Sequence, residues 1–452
     1  MQEAIKTYLK YIPFSDFNLW DVKIYSSNKL KPKFPLTKLE SFLSVAKMDW
    51  IEIEDEKEYP ILGVRANGKG VYINRIAKGS ELTMKKYQKS KANHLFYCKV
   101  RTVNGQWGIV YPEFENSYGS SNMQYLKVDE AKINLKFFEL LLSIKSLTNE
   151  FDKNAIGADG RHFTLKTLLS LEIPLPSIKE QEFFVKNYYT KIQEAESLSQ
   201  QAIDLESEIE TYLFHALGVK IQSNILRNSL IQFINFEDIG RWDTLFLLGK
   251  IPALQSKYQL INFSEAIKYF NKDRKNKSIR VDSSKFPNDS FKYIGMEHIE
   301  KETGVLLDMP IVKGKEIKSQ TIRVPKDFFI YGKLRPYLNK YWINRTEFDN
   351  IICSSEFFVF DIDETINKDF FKYILSSKII QDQISDKTSG ARMPRINEEI
   401  FFDLKFPLPP KPIQDAITQE VSDIKSRIEQ SKTNALNLSR LAAQEFEQSI
   451  FN

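Results

Sequence analysis

The residues best able to do covalent or metal chemistry are few and scattered. Cys98 and Cys353 are the only cysteines, too few for a disulfide framework or a cysteine zinc site, and both read as buried thiols. His94, His162, His215 and His298 are isolated from one another, without metal-ligand spacing. Asp308 with Glu316 and Lys318 loosely fits the acid and Glu-x-Lys that a nuclease uses to hold a metal, but such triplets arise by chance in a chain that is 27% charged. The stretch VRANGKGVYI (64–73) places Lys69 between Gly68 and Gly70, which suits a basic hairpin turn better than a nucleotide fingerprint. Neither a phosphate-binding Gly-x-x-x-x-Gly-Lys-Ser/Thr loop nor an Asn/Asp-Pro-Pro-Tyr/Phe methyltransferase signature is present.

Binding chemistry is better provided for. Residues 61–110 hold ten Lys/Arg against the single acid Glu81, a local charge of +9, and residues 310–346 hold nine against Glu316 and Asp327, or +7. Residues 179–230 between them carry five bases and eight acids. Two basic blocks parted by an acidic spacer point to two polyanion-facing surfaces. Within them lie side chains suited to duplex DNA: Arg65, Asn67 and Lys69; Lys99, Arg101, Asn104 and Gln106; Lys333, Arg335, Asn339 and Lys340. Arginine offers a bidentate fork to guanine, Asn and Gln offer one to adenine, and lysine chiefly meets phosphate.

The elements that must position these residues are written twice. At an offset of 233, INLKFFELLLS (133–143) falls on INKDFFKYILS (366–376), Gly157-Ala158 on Gly390-Ala391, Pro174-Leu175-Pro176 on Pro407-Leu408-Pro409, and Gln181 on Gln414. Nearer the start of each copy the offset is 222, where FSDFNLWDV (14–22) lies on FEDIGRWDT (236–244). Each copy is therefore a shared frame around a divergent middle. Aromatic-rich runs at 94–100, 106–111 and 357–362 predict strands, and the two Phe-Phe segments predict helices, so each globular part mixes α and β.

After each Pro-Leu-Pro comes a long heptad stripe. The first reads Phe184, Tyr188, Ala195, Leu198, Ala202, Leu205, Ile209, Tyr212 and Ala216, with Lys191 as its one defect. The second reads Ile417, Val421, Ile424, Ile428, Ala435, Leu438 and Ala442, interrupted at Ser431. A helix of about 38 residues is roughly 55 Å long, more than one such domain needs for its own core, so the stripes are expected to zip together antiparallel. The alternative is that each helix folds back on its own domain. Proline after proline marks the joint, because it removes a backbone donor and drives the preceding residue out of helical geometry.

The arrangement resembles the specificity subunits of Type I restriction-modification systems. The resemblance is carried by Trp20-Asp21 and Trp242-Asp243, KLRPYLNK (333–340), SSEFFVF (354–360), TSGARMPRINEEIFFDLKFPLPP (388–410), and the junctions IPLPSIKEQ and FPLPPKPIQ. It implies an α+β chain of two mixed α/β target-recognition domains related by pseudo-twofold duplication and joined by two long antiparallel coiled-coil helices. The implied limits are 1–175 for the first domain, 176–218 for its helix, 219–239 for a linker, 240–408 for the second domain and 409–452 for the second helix. Each domain would read half of a bipartite double-stranded DNA target, with Arg161, Arg392 and Arg395 added to the candidate contacts. The helices would set the spacing and dock two methyltransferase subunits, with restriction and translocase subunits joining. No cofactor is expected on this chain; S-adenosylmethionine, ATP and magnesium would sit on the partners. In the second junction Lys411-Pro412-Ile413 replaces the acidic residue expected before Gln414, so a local departure is expected in how that helix starts. Residues 1–20 lack the features of a signal peptide and no apolar run approaches 18 residues, so a cytoplasmic protein without membrane partners is expected. Two rival readings stay open: a coiled-coil scaffold without base readout, and a fused restriction-modification enzyme.

Overall fold

The duplicated frame folds twice. The computed structural model describes residues 31–99, 105–152, 155, 162–220, 254–385 and 393–451. The Trp-Asp pairs, Arg101, Asn104, Arg161 and Arg392 lie outside the described residues. One unit draws on residues up to 199 together with 433 onward, and the other spans 200–432.

In the first unit the strands are β1 (Leu36–Lys38), β2 (Leu43–Val45), β3 (Asp49–Glu52), β4 (Glu58–Val64), β5 (Val71–Lys78), β6 (Lys86–Lys89), β7 (His94–Cys98), β8 (Trp107–Val110), β9 (Tyr118–Gly119), β10 (Met123–Val128) and β11 (Glu172–Pro174). Helices α1 (Leu135–Ser143), α2 (Lys145–Asp152) and α3 (Leu165–Ser170) precede the long α4 (Ile178–Leu217). The second unit has β12 (Leu260–Asn262), the short α5 (Phe263–Ala266), β13 (Ile267–Phe270), β14 (Arg280–Val281), β15 (Ser290–Ile294), β16 (Ile311–Lys313), β17 (Thr321–Arg323), β18 (Phe329–Gly332), β19 (Tyr341–Ile343), β20 (Ile351–Ser354), β21 (Phe357–Ile362) and β22 (Lys405–Pro407). Its helices are α6 (Lys368–Ser376), α7 (Lys378–Ser385), α8 (Glu398–Phe402) and the long α9 (Lys411–Ile450).

Every strand of the second unit pairs as the strand eleven places earlier pairs in the first. The sheets run β1-β11, β2-β10-β7-β8 and β3-β6-β9-β4-β5 in one, and β12-β22, β13-β21-β18-β19 and β14-β17-β20-β15-β16 in the other. Both five-stranded sheets even repeat one parallel contact, β4 with β9 and β15 with β20. The middle of each copy, divergent in sequence, is thus the same fold. It keeps one short signature: Ile76, Lys78, Gly79 and Glu81 correspond to Ile311, Lys313, Gly314 and Glu316. In each the Glu side chain accepts from the Lys backbone N–H, at 3.3 and 3.0 Å, to cap a 3-10 turn. Glu316 is therefore a turn cap with a counterpart in Glu81, which takes it out of the nuclease arrangement. Among the described residues no group of three His, Cys, Asp or Glu is placed to hold a metal ion.

The aromatic runs became central strands for a simple reason. In β21 all six residues are buried, because Phe358, Phe360 and Ile362 face the helices while Phe357 and Val359 face the five-stranded sheet. A strand covered on both faces reads as a continuous apolar run. In β10, Leu126 and Val128 face the helix side and Met123 and Tyr125 the other.

The joint after each Pro-Leu-Pro is built from matched residues. Gln181 and Gln414 are both fully enclosed, a costly place for an amide unless its hydrogen bonds are made. Gln181 Oε1 accepts from the Asn134 backbone N–H at 2.8 Å and its Nε2 donates to the Pro176 carbonyl at 2.9 Å. Gln414 repeats this with Asn367 at 2.7 Å and Pro409 at 2.9 Å. Asn134 and Asn367 are in turn the N-caps of α1 and α6. The helix starts differ as expected. Ser177 and Glu180 form a capping box on α4, the two hydrogen bonds from Ser177 holding the Glu180 carboxyl below its usual range. On α9, Pro410 precedes the helix and Pro412 lies in its first turn, and Lys411 and Asn367 both donate to Asp415.

The helices pair antiparallel within each unit. In the first, Phe446 packs on Tyr188 and Phe137, and Lys191 pairs with Glu445 at 2.9 Å. The stripe's one defect is thus an ion pair. In the second, Ala202 and Leu205 form a cluster with Ile424 and Ile428 that only the two helices supply, with Ile209 against it. Ala195, Ala435 and Ala442 are buried, while Leu198 and Leu438 are half-buried. Toward the end of α4 the stripe slips by one position: Leu213 and Leu217 are buried in the second core with Ile417 and Val421, while Tyr212 and Ala216 pack against it partly buried. Their counterparts Phe446 and Ile450 enter the core of the first unit. The helices therefore zip together at mid-length and also serve the globular cores at their ends. Among the described residues no helix is long and apolar enough to cross a membrane.

Candidate nucleic-acid interface

In both units a basic segment joins the two strands of the hairpin that ends the four-stranded sheet. Strands β7 and β8 pair Tyr97 with Trp107, and β18 and β19 pair Tyr331 with Tyr341, so the two connections have equal length and their sequences align at an offset of 234. Lys99 thus corresponds to Lys333, Arg101 to Arg335, Gly105 to Asn339 and Gln106 to Lys340. Lys99 and Lys333, chosen separately for their chemistry, therefore stand directly after matched strands.

Each loop is clasped by the tip of a neighbouring hairpin. In the first unit the β4–β5 turn carries Arg65, Asn67 and Lys69, all exposed, and the Gly68 N–H donates to the Gly105 carbonyl at 2.8 Å. Asn67 and Gly68 both lie in the left-handed region, at φ 60° and 64°. Gly68 has no room to change, since a Cβ there would sit 2.5 Å from the Leu142 carbonyl oxygen. That same carbonyl receives the Trp107 indole N–H at 3.1 Å. Two sequence-distant candidate groups are thereby brought together on the end of α1. The Arg65 guanidinium lies over the Tyr72 ring, 4.9 Å from its centre, which leaves its edge open for a ligand. Lys99 is exposed and Gln106 half-buried.

The second unit divides its candidates. Asn339, at φ 46°, is buried; its Nδ2 donates to the Ser376 carbonyl at 2.8 Å and its Oδ1 accepts from Gln381 at 3.0 Å. Its amide is used within the fold. The Lys333 ammonium donates to the Ser355 carbonyl at 2.6 Å and lies over the Phe358 ring, burial holding its pKa below the usual lysine range despite nearby Glu356. Lys340 is similarly tied to the Met296 carbonyl at 2.6 Å. Arg395 forks onto Glu356, with both bonds at 3.2 Å. Arg335 differs from all of these. Its backbone is left-handed at φ 50°, its N–H is fixed to the Pro394 carbonyl at 2.7 Å, and its side chain is exposed. The neighbouring Tyr337 is exposed too, an aromatic contact candidate that the charge pattern does not single out.

The tip that clasps this loop spans residues 300–304. Here Glu302, at φ 66°, lies two residues past the bond that closes the tip, as Asn67 does, and makes the contact that Gly68 makes in the first unit, its N–H donating to the carbonyls of Leu338 and Asn339 at 3.2 Å each. The two tips differ in charge: Arg65, Asn67 and Lys69 in one, Glu300, Lys301 and Glu302 in the other.

Known proteins share this arrangement. The profile of the Type I restriction modification DNA specificity domain matches residues 31–188 and again 255–438. The Type I restriction enzyme EcoDI specificity subunit of Escherichia coli is 21% identical over 355 residues, covering 74% of this chain and 72% of that protein. A solved structure titled as the structural basis of complex assembly and conformational transition of the type I R-M system aligns with a TM-score of 0.56 at 12% identity, over 93% of this chain and 98% of that one. The HsdS subunit from Thermoanaerobacter tengcongensis aligns over 93% and 97% at 12% identity with a TM-score of 0.48.

Proposed function

Since the chain belongs to the Type I restriction modification DNA specificity domain family, matched by two separate regions, we propose that each unit reads one half of a bipartite duplex target. Its work is recognition rather than catalysis. The observation that supports this reading is the doubled strand connection, closed by Tyr97 and Trp107 in one unit and by Tyr331 and Tyr341 in the other, with a neighbouring hairpin tip bonded to Gly105 and to Asn339 respectively. Two reading surfaces held on paired helices demand two half-sites at a set spacing. Arg65, Asn67, Lys69, Lys99, Arg101 and Arg335 are the proposed DNA contacts. Lys333, Asn339, Lys340 and Arg395 hold the loop that presents Arg335. Arg161 and Arg392 stay proposed on their sequence position alone.

The long helices, through the seam from Phe184 to Leu438, set the spacing and dock two methyltransferase subunits, with restriction and translocase subunits joining. S-adenosylmethionine, ATP and magnesium would then be held by those partners. The test is selection of duplexes from a random pool by the assembled complex, with binding followed over salt. Two fixed half-sites and a steep fall of affinity with salt are expected. Binding insensitive to sequence and salt would favour a protein scaffold, and cutting or methylation by the purified chain alone would favour a fused enzyme.

A further inference from the structure

Glu302 is an odd residue for the place it holds. The left-handed region suits glycine and asparagine; a glutamate there carries backbone strain, which persists only where the surroundings enforce it. Here they do. The Glu302 N–H is bonded to the Leu338 and Asn339 carbonyls, and its own carbonyl accepts from the Tyr341 hydroxyl at 3.3 Å. Beside it Gly304 lies so close to Tyr341 that a Cβ would come within 2.4 Å of the ring. Thr303 closes the tip by donating to Glu300 at 2.7 Å. The backbone of Glu302 is thus fixed by three bonds while its side chain is exposed, on the tip that clasps the loop presenting Arg335.

A carboxylate on a polyanion-facing loop opposes phosphate, so it adds nothing to general affinity. It can only accept hydrogen bonds, and in the major groove the donors are the amino groups of cytosine and adenine. Adenine sets its own N7 acceptor beside that amino group, where a carboxylate is repelled; cytosine has no acceptor on that side of its N4 donor, the guanine O6 lying across the pair. The equivalent Asn67 bears an amide, with the donor and acceptor that adenine requires.

We propose that Glu302 is a specificity-determining residue of the second unit, accepting from the N4 amino group of a cytosine in its half-site. This rests on the DNA-reading function proposed above. The test measures binding of the complete complex, assembled with its own partner subunits, to duplexes substituted one base pair at a time. Glu302→Gln and Glu302→Asn should each cut discrimination at one C·G pair by roughly 5- to 150-fold, the range for one good base contact. Preference in the other half-site should be unchanged. Glu302→Gly should lose the same discrimination while melting no earlier than wild type, since glycine relieves the strain; this separates lost readout from unfolding. An unchanged base preference in all three variants, or a half-site with no C·G pair, would overturn the assignment. A wild-type complex with no sequence preference at all would instead overturn the DNA-reading function.

Discussion

Replacing Gln414 with leucine tests the joint between globular part and long helix. The side chain is buried and bridges the Asn367 N–H and the Pro409 carbonyl, so leucine keeps the approximate volume and strands both groups. Each buried group left without a partner costs about 1–3 kcal/mol. Asn367 is also the N-cap of α6, accepting from Asp369 and Phe370, and loosening it adds about 1 kcal/mol. The expected loss is about 3–7 kcal/mol, and it should be local. Amide hydrogen exchange reads this directly: residues 366–376 should exchange at least roughly 30-fold faster, equivalent to about 2 kcal/mol, while the matching residues 133–143 do not change. Gln181→Leu should show the mirror image, with 133–143 affected and 366–376 spared. Unchanged exchange in 366–376, or equal acceleration in both segments, would refute the claim that each glutamine pins its own helix cap.

Three further outcomes follow from the side-chain environments. Arg335→Ala should leave the melting curve unchanged but weaken duplex binding and lower its salt slope, whereas Asn339→Ala should lose about 1–3 kcal/mol of stability, measured by urea denaturation. Lys191→Leu removes a partly exposed ion pair with Glu445 and completes the apolar stripe, so stability should stay within about 1 kcal/mol of wild type or rise. Lys425 lies over the Tyr373 ring, and burial followed by repulsion from Lys372 pushes its pKa down to about 8. The folded chain therefore binds fewer protons than the unfolded one between pH 8 and about 10.5, and stability rises with pH across that window. Lys425→Met should flatten this rise in urea melts taken at several pH values, and add at most about 3 kcal/mol below pH 8.

The sequence exposed the frame of this fold better than its contents. The two Phe-Phe helices, the proline joints and the buried glutamines match residue for residue, because each makes contacts that tolerate little change. The middles hide their identity: four shared positions, Ile76, Lys78, Gly79 and Glu81 against Ile311, Lys313, Gly314 and Glu316, are too few to align by eye across insertions. The slip of the α4 stripe to Leu213 and Leu217 follows from geometry, since a straight helix of 3.6 residues per turn drifts away from a seven-residue repeat. At the interface, Arg65, Asn67 and Lys69 were legible as a basic turn from their glycines. Asn339 and Lys333 were not distinguishable from surface readers, because what removes them from the surface is a left-handed backbone and a carbonyl supplied from elsewhere in the chain. Glu302 is unmarked in the sequence for a related reason: it is one glutamate among many, and only its backbone sets it apart.

Mapping modified bases across the genome of the host by single-molecule sequencing tests the central claim most directly. Two half-sites read by two units on paired helices predict a bipartite motif, two short specific segments separated by a gap of constant length. A short continuous motif would contradict the account.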